Sequence, residues 1–259
     1  MELIGKFGSS IGFKIYGGAE LKDCVLQDHD VGIIRYGGYE GGDEFKIKDS
    51  TITNVENAIT VNQVENEEDV KATFEKLSIT ECNNGIEMLA GGELKVKETT
   101  ITGSSTRETI DGIYTSNTYP NYHNVTVVVK DSFISGFEGR AVGVIGVADE
   151  VEIKNSELRD SYNGLQVSNA AKKVSVRDTV IEDMGNRGIS IDFSFIIEKV
   201  ELKDISVCNS GWFDIVLFYI GPTGIQEVKT GGDVYCDSAR DYAAAESDIT
   251  DKYCTASCA

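Results

Sequence analysis

The sequence predicts an all-β solenoid: a single-stranded parallel β-helix of about eight rungs, each of about 25 residues. Three observations carry this. A segment reading apolar-x-apolar-Lys-Asp/Asn-Ser/Thr-x-apolar recurs, as in IKDSTIT, VKETTIT, VKDSFIS, IKNSELR and VRDTVIE. A second segment, usually Gly-apolar-x-apolar, follows each copy, as in VGII, NGIEM, DGIYT, NGLQV and RGISI. Both alternate with period two and are rich in Val, Ile and Thr, which is strand patterning, and both are too short for helices.

In chain order, the second apolar position of the first segment falls at Leu21, Ile47, Phe74, Val96, Val129, Ile153, Val176 and Leu202. The first apolar residue of the second segment falls at Ile33, Ile59, Ile86, Ile113, Val142, Leu165, Ile189 and Ile215. An extra second segment at Gly12-Phe13-Lys14-Ile15 has no first segment before it, so the coil is expected to open on half a rung. Gly or Asn before the second segment suits a turn requiring positive φ. Leucine-rich repeats share the period, but their Leu-x-x-Leu-x-Leu signature is missing, and a β-propeller needs a longer repeat, of about 40 residues. The coil is expected over residues 1–236, with a Cys-containing tail, 237–259, packing back on it. Val216 and Phe218 point outward and need cover, which Tyr242 and Tyr253 would supply.

These repeats resemble the parallel β-helix repeat family, shared by pectin- and alginate-active enzymes and by non-catalytic secreted proteins. The resemblance covers roughly residues 12–236 and implies a right-handed coil. It implies no chemistry, because catalytic residues differ between families sharing this coil. The motif of alginate epimerases (DPHD) is unmatched, since Asp28-His29-Asp30 has the wrong spacing, and the polygalacturonase motifs NTD, DD, GHG and RIK are missing.

Stacking the rungs aligns like residues. Lys22, Lys48, Glu75, Lys97, Lys130, Lys154, Arg177 and Lys203 form one column, and Asp23, Asp49, Lys76, Glu98, Asp131, Asn155, Asp178 and Asp204 its neighbour. Parallel strands lie about 4.8 Å apart, so the acidic column offsets the basic one, as on a solvated ion-pair face. A third column, Cys24, Ser50, Leu77, Thr99, Ser132, Ser156, Thr179 and Ile205, reads as an internal hydroxyl stack at a strand corner.

A formal charge of −19 repels phosphate and anionic lipid, so nucleic acid is not an expected partner, and no apolar window is long enough for membrane insertion. The chain opens without a basic-then-apolar signal segment. Six cysteines without a CxxC favour disulfides over metal and hence an oxidising, secreted or extracellular setting. Asn124-Val125-Thr126 is one glycosylation acceptor pattern. Val228 begins VKTGGDVYC as Val200 begins VELKDISVC; this puts Cys208 and Cys236 in register and predicts that they pair. Cys254 and Cys258 are expected to pair in the tail, and Cys24 and Cys82 to be buried free thiols.

Binding is expected on loops that interrupt the rungs. The connections after Arg35, Val61 and Thr115 are long, whereas the one after Met88 is only LAGGE. A short loop between long ones makes a saddle over residues 89–93. Tyr36, Tyr39, Tyr119, Tyr122 and His123 are the glycan-binding candidates, since tyrosine rings stack on sugar faces and donate hydrogen bonds. On the other wall Glu65 stands beside Glu67, Glu68 and Asp69, the last three being candidate ligands for calcium, the one cofactor the pattern accommodates. His123 or Tyr122 would be the base of a lyase or epimerase, but Lys71 is the only cation within the walls. The sequence therefore favours a non-catalytic secreted module, structural or glycan-contacting, over a calcium-assisted polysaccharide lyase or epimerase. Ile4, Phe7 and Ile11 would be partly bare at the N-terminal end, so residues 1–15 are expected to meet another subunit or further coil.

Overall fold

The computed structural model describes residues 2–4, 10–37, 44–62, 69–117, 124–193, 197–219, 225–241 and 253–258. Every strand ladder is parallel, and each strand pairs with its counterpart in the next rung. The chain is a β-solenoid. Each rung carries three strands where the repeat showed two segments, because the first segment bends in its middle. Gly92–Lys97, Thr100–Gly103 and Asp111–Ser116 are the three strands of one rung.

The bends come from single left-handed residues. Asp23, Asp49, Lys76, Glu98, Asp131, Asn155, Asp178 and Asp204 all have φ between 47° and 55°. A second corner, before the third strand, repeats the device at Asp28, Asn54, Glu81, Gly136, Asp160, Asp183 and Asn209. Asp and Asn tolerate this conformation because their short side chains hydrogen-bond locally. The first of these columns is thus set by backbone geometry as well as by charge pairing.

The positive φ expected before the third strand falls at this second corner and not at the glycines that enter the strand. Gly12, Gly32, Gly85, Gly112, Gly164 and Gly188 form a column whose glycines answer to close approach instead. A Cβ at Gly32 would stand 2.6 Å from the Ala58 carbonyl oxygen of the next rung, and one at Gly112 would stand 2.7 Å from that of Ala141.

Inward residues of the three sheets fill the coil. Leu26, Ile52, Ile79, Ile101, Ile134, Leu158, Ile181 and Val207 form the middle column, each fully buried and each contributing about 1.5–3 kcal/mol. Arg35 interrupts the third-sheet column, buried between Ile15 and Val61, its Nε donating to the Gly17 carbonyl (3.3 Å) and Nη1 to that of Asn62 (3.1 Å). The hydroxyl column satisfies the first corner: the Thr99 amide donates to Ser132 Oγ (3.2 Å), which donates to the Lys130 carbonyl (2.7 Å). Ser156 and Thr179 make the same bond to the carbonyl two residues back. This role is structural.

The C-terminal end corrects the disulfide expectation. Val228 does align with Val200, but Gly232, at φ 64°, inserts a bulge, so Ile205 faces Val234. Cys236 thereby slips out of register with Cys208. Cys208 pairs with Cys258 and Cys236 with Cys254, at Cα separations of 5.9 and 5.3 Å. Each tail cysteine therefore joins the coil rather than its tail neighbour. The tail lies on the last rung: the Thr255 amide donates to the Val234 carbonyl and the Cys236 amide to that of Ala256. Tyr253 is buried in the core, while Val216 is buried outside it; Tyr242 lies outside the described residues. Strand pairing continues past residue 236, since Ala239–Asp241 pairs with the preceding rung. Cys24 and Cys82 are free and buried, and desolvation pushes the Cys82 thiol up to about 12.

Candidate functional site

Of the sequence-derived site residues, Tyr39, Glu65, Glu67, Glu68, Tyr119, Tyr122 and His123 lie outside the described residues. Tyr36 is on the outer face of the third sheet, stacked on Tyr16 with ring centroids 5.6 Å apart. Lys14 Nζ sits 5.0 Å from the Tyr36 ring centre and 5.4 Å from that of Tyr16, whose hydroxyl raises the Lys14 pKa. Asp69 is exposed. The saddle floor is backbone: Ala90 is buried, and Gly92, at φ 109°, fits against Val70, while its amide donates to the Asn124 carbonyl. His29 is a buried turn residue, both ring nitrogens unpartnered.

Among the described residues, a cluster of polar side chains lies one strand back. The third sheet's outer face aligns Glu87 with Tyr114 and Gly143 in one row, and Asp111 with Arg140 in another. Arg140 Nε donates to Asp111 Oδ1 (2.8 Å) and Nη2 to Oδ2 (2.7 Å); the Arg140 amide also donates to Oδ1 (2.8 Å). Bidentate pairing of this kind is strong and directional. The guanidinium lies over the Tyr114 ring at 4.9 Å. Gly143 makes room, because a Cβ there would stand 2.9 Å from Arg140 Cδ and Nε. Asp111 is buried, and its bonds hold Arg140 charged, above the usual arginine range. Burial, helped by the Asp111 charge, raises the Glu87 carboxyl.

A second cluster repeats the design two rungs on. Arg187 Nη1 donates to Ser190 Oγ (3.1 Å) and stands 3.8 Å from Asp192 Oδ2, while its guanidinium lies over Trp212 at 4.5 Å. Burial raises the Asp192 carboxyl, against the lowering effect of Arg187.

Other features are structural. An open hollow of about 480 Å³ between Glu98, Asp131, Asn155 and Glu157, and one of about 280 Å³ between Asp178, Asp204, Asp233 and Tyr235, both overlie the first corner and follow its repeat. Among the described residues, one trio of metal-type ligands falls within reach of a single ion: Asp214, Asp237 and Cys258. It does not fit a metal, because Cys258 is in a disulfide and Asp214 Oδ2 already accepts the Asp237 and Ser238 amides (2.8 and 3.1 Å).

Sequence reasoning missed Glu87, Asp111, Tyr114, Arg140, Arg187 and Trp212. For three of them a signal existed: the position entering the third strand is Asn at 57, 84 and 163 and apolar at Ile11, Val31 and Phe213, but charged at Asp111, Arg140 and Arg187.

The family model for a right-handed beta helix region matches residues 38–207. No curated protein matches. A solved structure, that of the PL6 family alginate lyase AlyGC, is similar over 97% of this chain at 10% identity, with a TM-score of 0.37. The chain spans 40% of that protein's length. With three-stranded rungs stacked in parallel and a family match over most of its length, this chain belongs to the right-handed β-helix family.

Proposed function

We propose that the protein is a non-catalytic, secreted β-helix module that contacts glycans through the outer face of its third sheet, within an extracellular or cell-surface assembly. One observation carries this reading: the arginines of that face, Arg140 and Arg187, are each held against a carboxylate of their own sheet, Asp111 and Asp192. Such pairs orient planar groups for hydrogen bonding and occupy both arginines, so neither is free to neutralise a sugar carboxylate, as elimination or epimerisation at C5 requires. Tyr16, Tyr36 and Tyr114 add ring surface on the same face. Two disulfides support an oxidising compartment. Further subunits would dock at the N-terminal edge, where Ile4 and Ile11 are exposed, and light scattering showing a clean monomer would count against that.

Glu87 favours a second reading. A half-buried carboxyl with a raised pKa, beside Tyr114 and under the influence of Asp111, is suited to proton transfer in a polysaccharide lyase or epimerase. Incubating the oxidised protein with neutral and acidic polysaccharides, with and without calcium, separates the two. Binding without product supports the module; unsaturated or epimerised sugar abolished by Glu87→Gln supports the enzyme.

A further inference from the structure

Large apolar side chains stand at a solvent-facing corner where the coil has no use for them. The residues entering the third sheet form one column along the coil: Asp30, Glu56, Asn83, Ile110, Gly139, Tyr162, Asn186 and Trp212. Each immediately precedes a residue of the paired row Val31, Asn57, Asn84, Asp111, Arg140, Asn163, Arg187 and Phe213. The first three are polar. From Ile110 onward every second rung carries a large apolar group, and Ile110, Tyr162 and Trp212 are 51%, 52% and 46% exposed. Their spacing is two rungs, on the order of 10 Å.

The two rings are held in place. Tyr162 lies against Gly185 of the next rung, where a Cβ would come within 3.3 Å of its Cδ2. Trp212 carries the Arg187 guanidinium at 4.5 Å from its ring centre. Between the rings, Asn186 on the intervening rung donates through Nδ2 to Asn163 Oδ1 on the rung of Tyr162 (3.0 Å), so an amide pair lies between the two platforms. Rigid rings separated by amides suit a ligand with alternating apolar faces and hydroxyl edges. Nearly twice as many acidic as basic residues, and arginines already paired, select against an anionic one.

We infer that Ile110, Tyr162 and Trp212 form a rail for an extended, uncharged polysaccharide lying along the coil axis, with sugars about two units apart stacking on successive platforms. This rests on the glycan-contacting reading and specifies its ligand class and direction. Trp212 is the chain's single tryptophan, so its fluorescence reports the site directly.

The test titrates the oxidised full chain with gluco-, xylo-, manno- and chito-oligosaccharides of two to six units, and with oligouronates for comparison. A saturable Trp212 signal is expected with at least one neutral series, tightening on the order of tenfold once the chain is long enough to span both rings. Tyr162→Ala should lose that length-dependent gain while leaving the shortest binding oligosaccharide and the thermal midpoint unchanged; Tyr162→Phe should keep it. An unresponsive Trp212, an unaltered length dependence in Tyr162→Ala, or tighter binding of oligouronates would overturn the rail. So would a dimer dispersed by Trp212→Ala, since the strip would then be a protein interface. Glycan binding that leaves Trp212 silent sinks the rail alone, whereas binding to no glycan sinks the broader reading with it.

Discussion

Asp49 has two tasks at one position. It stands 3.8 Å from Lys22 across the rungs, and it bends the chain at φ 48°. The ion pair is exposed and worth little, whereas forcing a β-branched residue into the left-handed region costs about 1–2 kcal/mol. Asp49→Asn should leave the thermal midpoint nearly unchanged, and Asp49→Val should lower stability by about 1–2 kcal/mol; equal losses in the two variants would restore charge as the column's main determinant. The column itself was visible in sequence, but its charges masked its conformational role. Glu87 gives a pH-dependent counterpart. Its carboxyl is raised in the folded state by burial and Asp111, so ionising it opposes folding. The penalty is fully present above the raised pKa and is relieved as pH falls through it towards the ordinary glutamate range. Glu87→Gln should therefore be more stable than the parent at neutral pH, with the difference shrinking in that acidic window; a gap that stays constant with pH would refute this.

Strand alternation made most elements legible, and their spacing gave the rungs. The short middle strand was hidden because Thr51-Ile52-Thr53 and its equivalents follow the first corner without a glycine or proline to mark it. The third-sheet glycines were noticed for the wrong reason. They sit under the carbonyls of the next rung, so even a methyl group must displace backbone: at Gly32 the added atom would also meet Ile52 Cγ2 at 3.1 Å. Gly32→Ala should cost about 1–3 kcal/mol in chemical denaturation, the range for overpacking, and a neutral result would mean the rungs shift freely. The Asp111–Arg140 cluster escaped notice because its partners are a full rung apart in sequence and meet only through the ladder.

At the scale of the whole molecule, the stack is a series of nearest-neighbour interfaces whose last rung has a neighbour on one side only. Here the tail takes that place, tied by Cys208–Cys258 and Cys236–Cys254. The bulge at Gly232 that re-aims Cys236 could not be read from register counting, because one inserted residue shifts every later side chain to the other face. Cys258→Ser should lower stability by about 2–4 kcal/mol, the usual loss for a disulfide. Under native, non-reducing conditions the parent should show no reactive thiol, since Cys82 and Cys24 are buried. Rapid labelling of the native parent would show that the core is open.

The outer face of the third sheet is where glycan contact is proposed. Backbone NMR of the isotope-labelled, oxidised protein, titrated with a binding oligosaccharide, tests it most directly. Shift changes are expected to concentrate on Glu87, Tyr114, Arg140, Arg187 and Trp212, with the first-corner residues Glu98, Asp131 and Asn155 unmoved. Changes centred on that corner, or spread over the ion-paired face that carries Lys95 and Lys130, would contradict it.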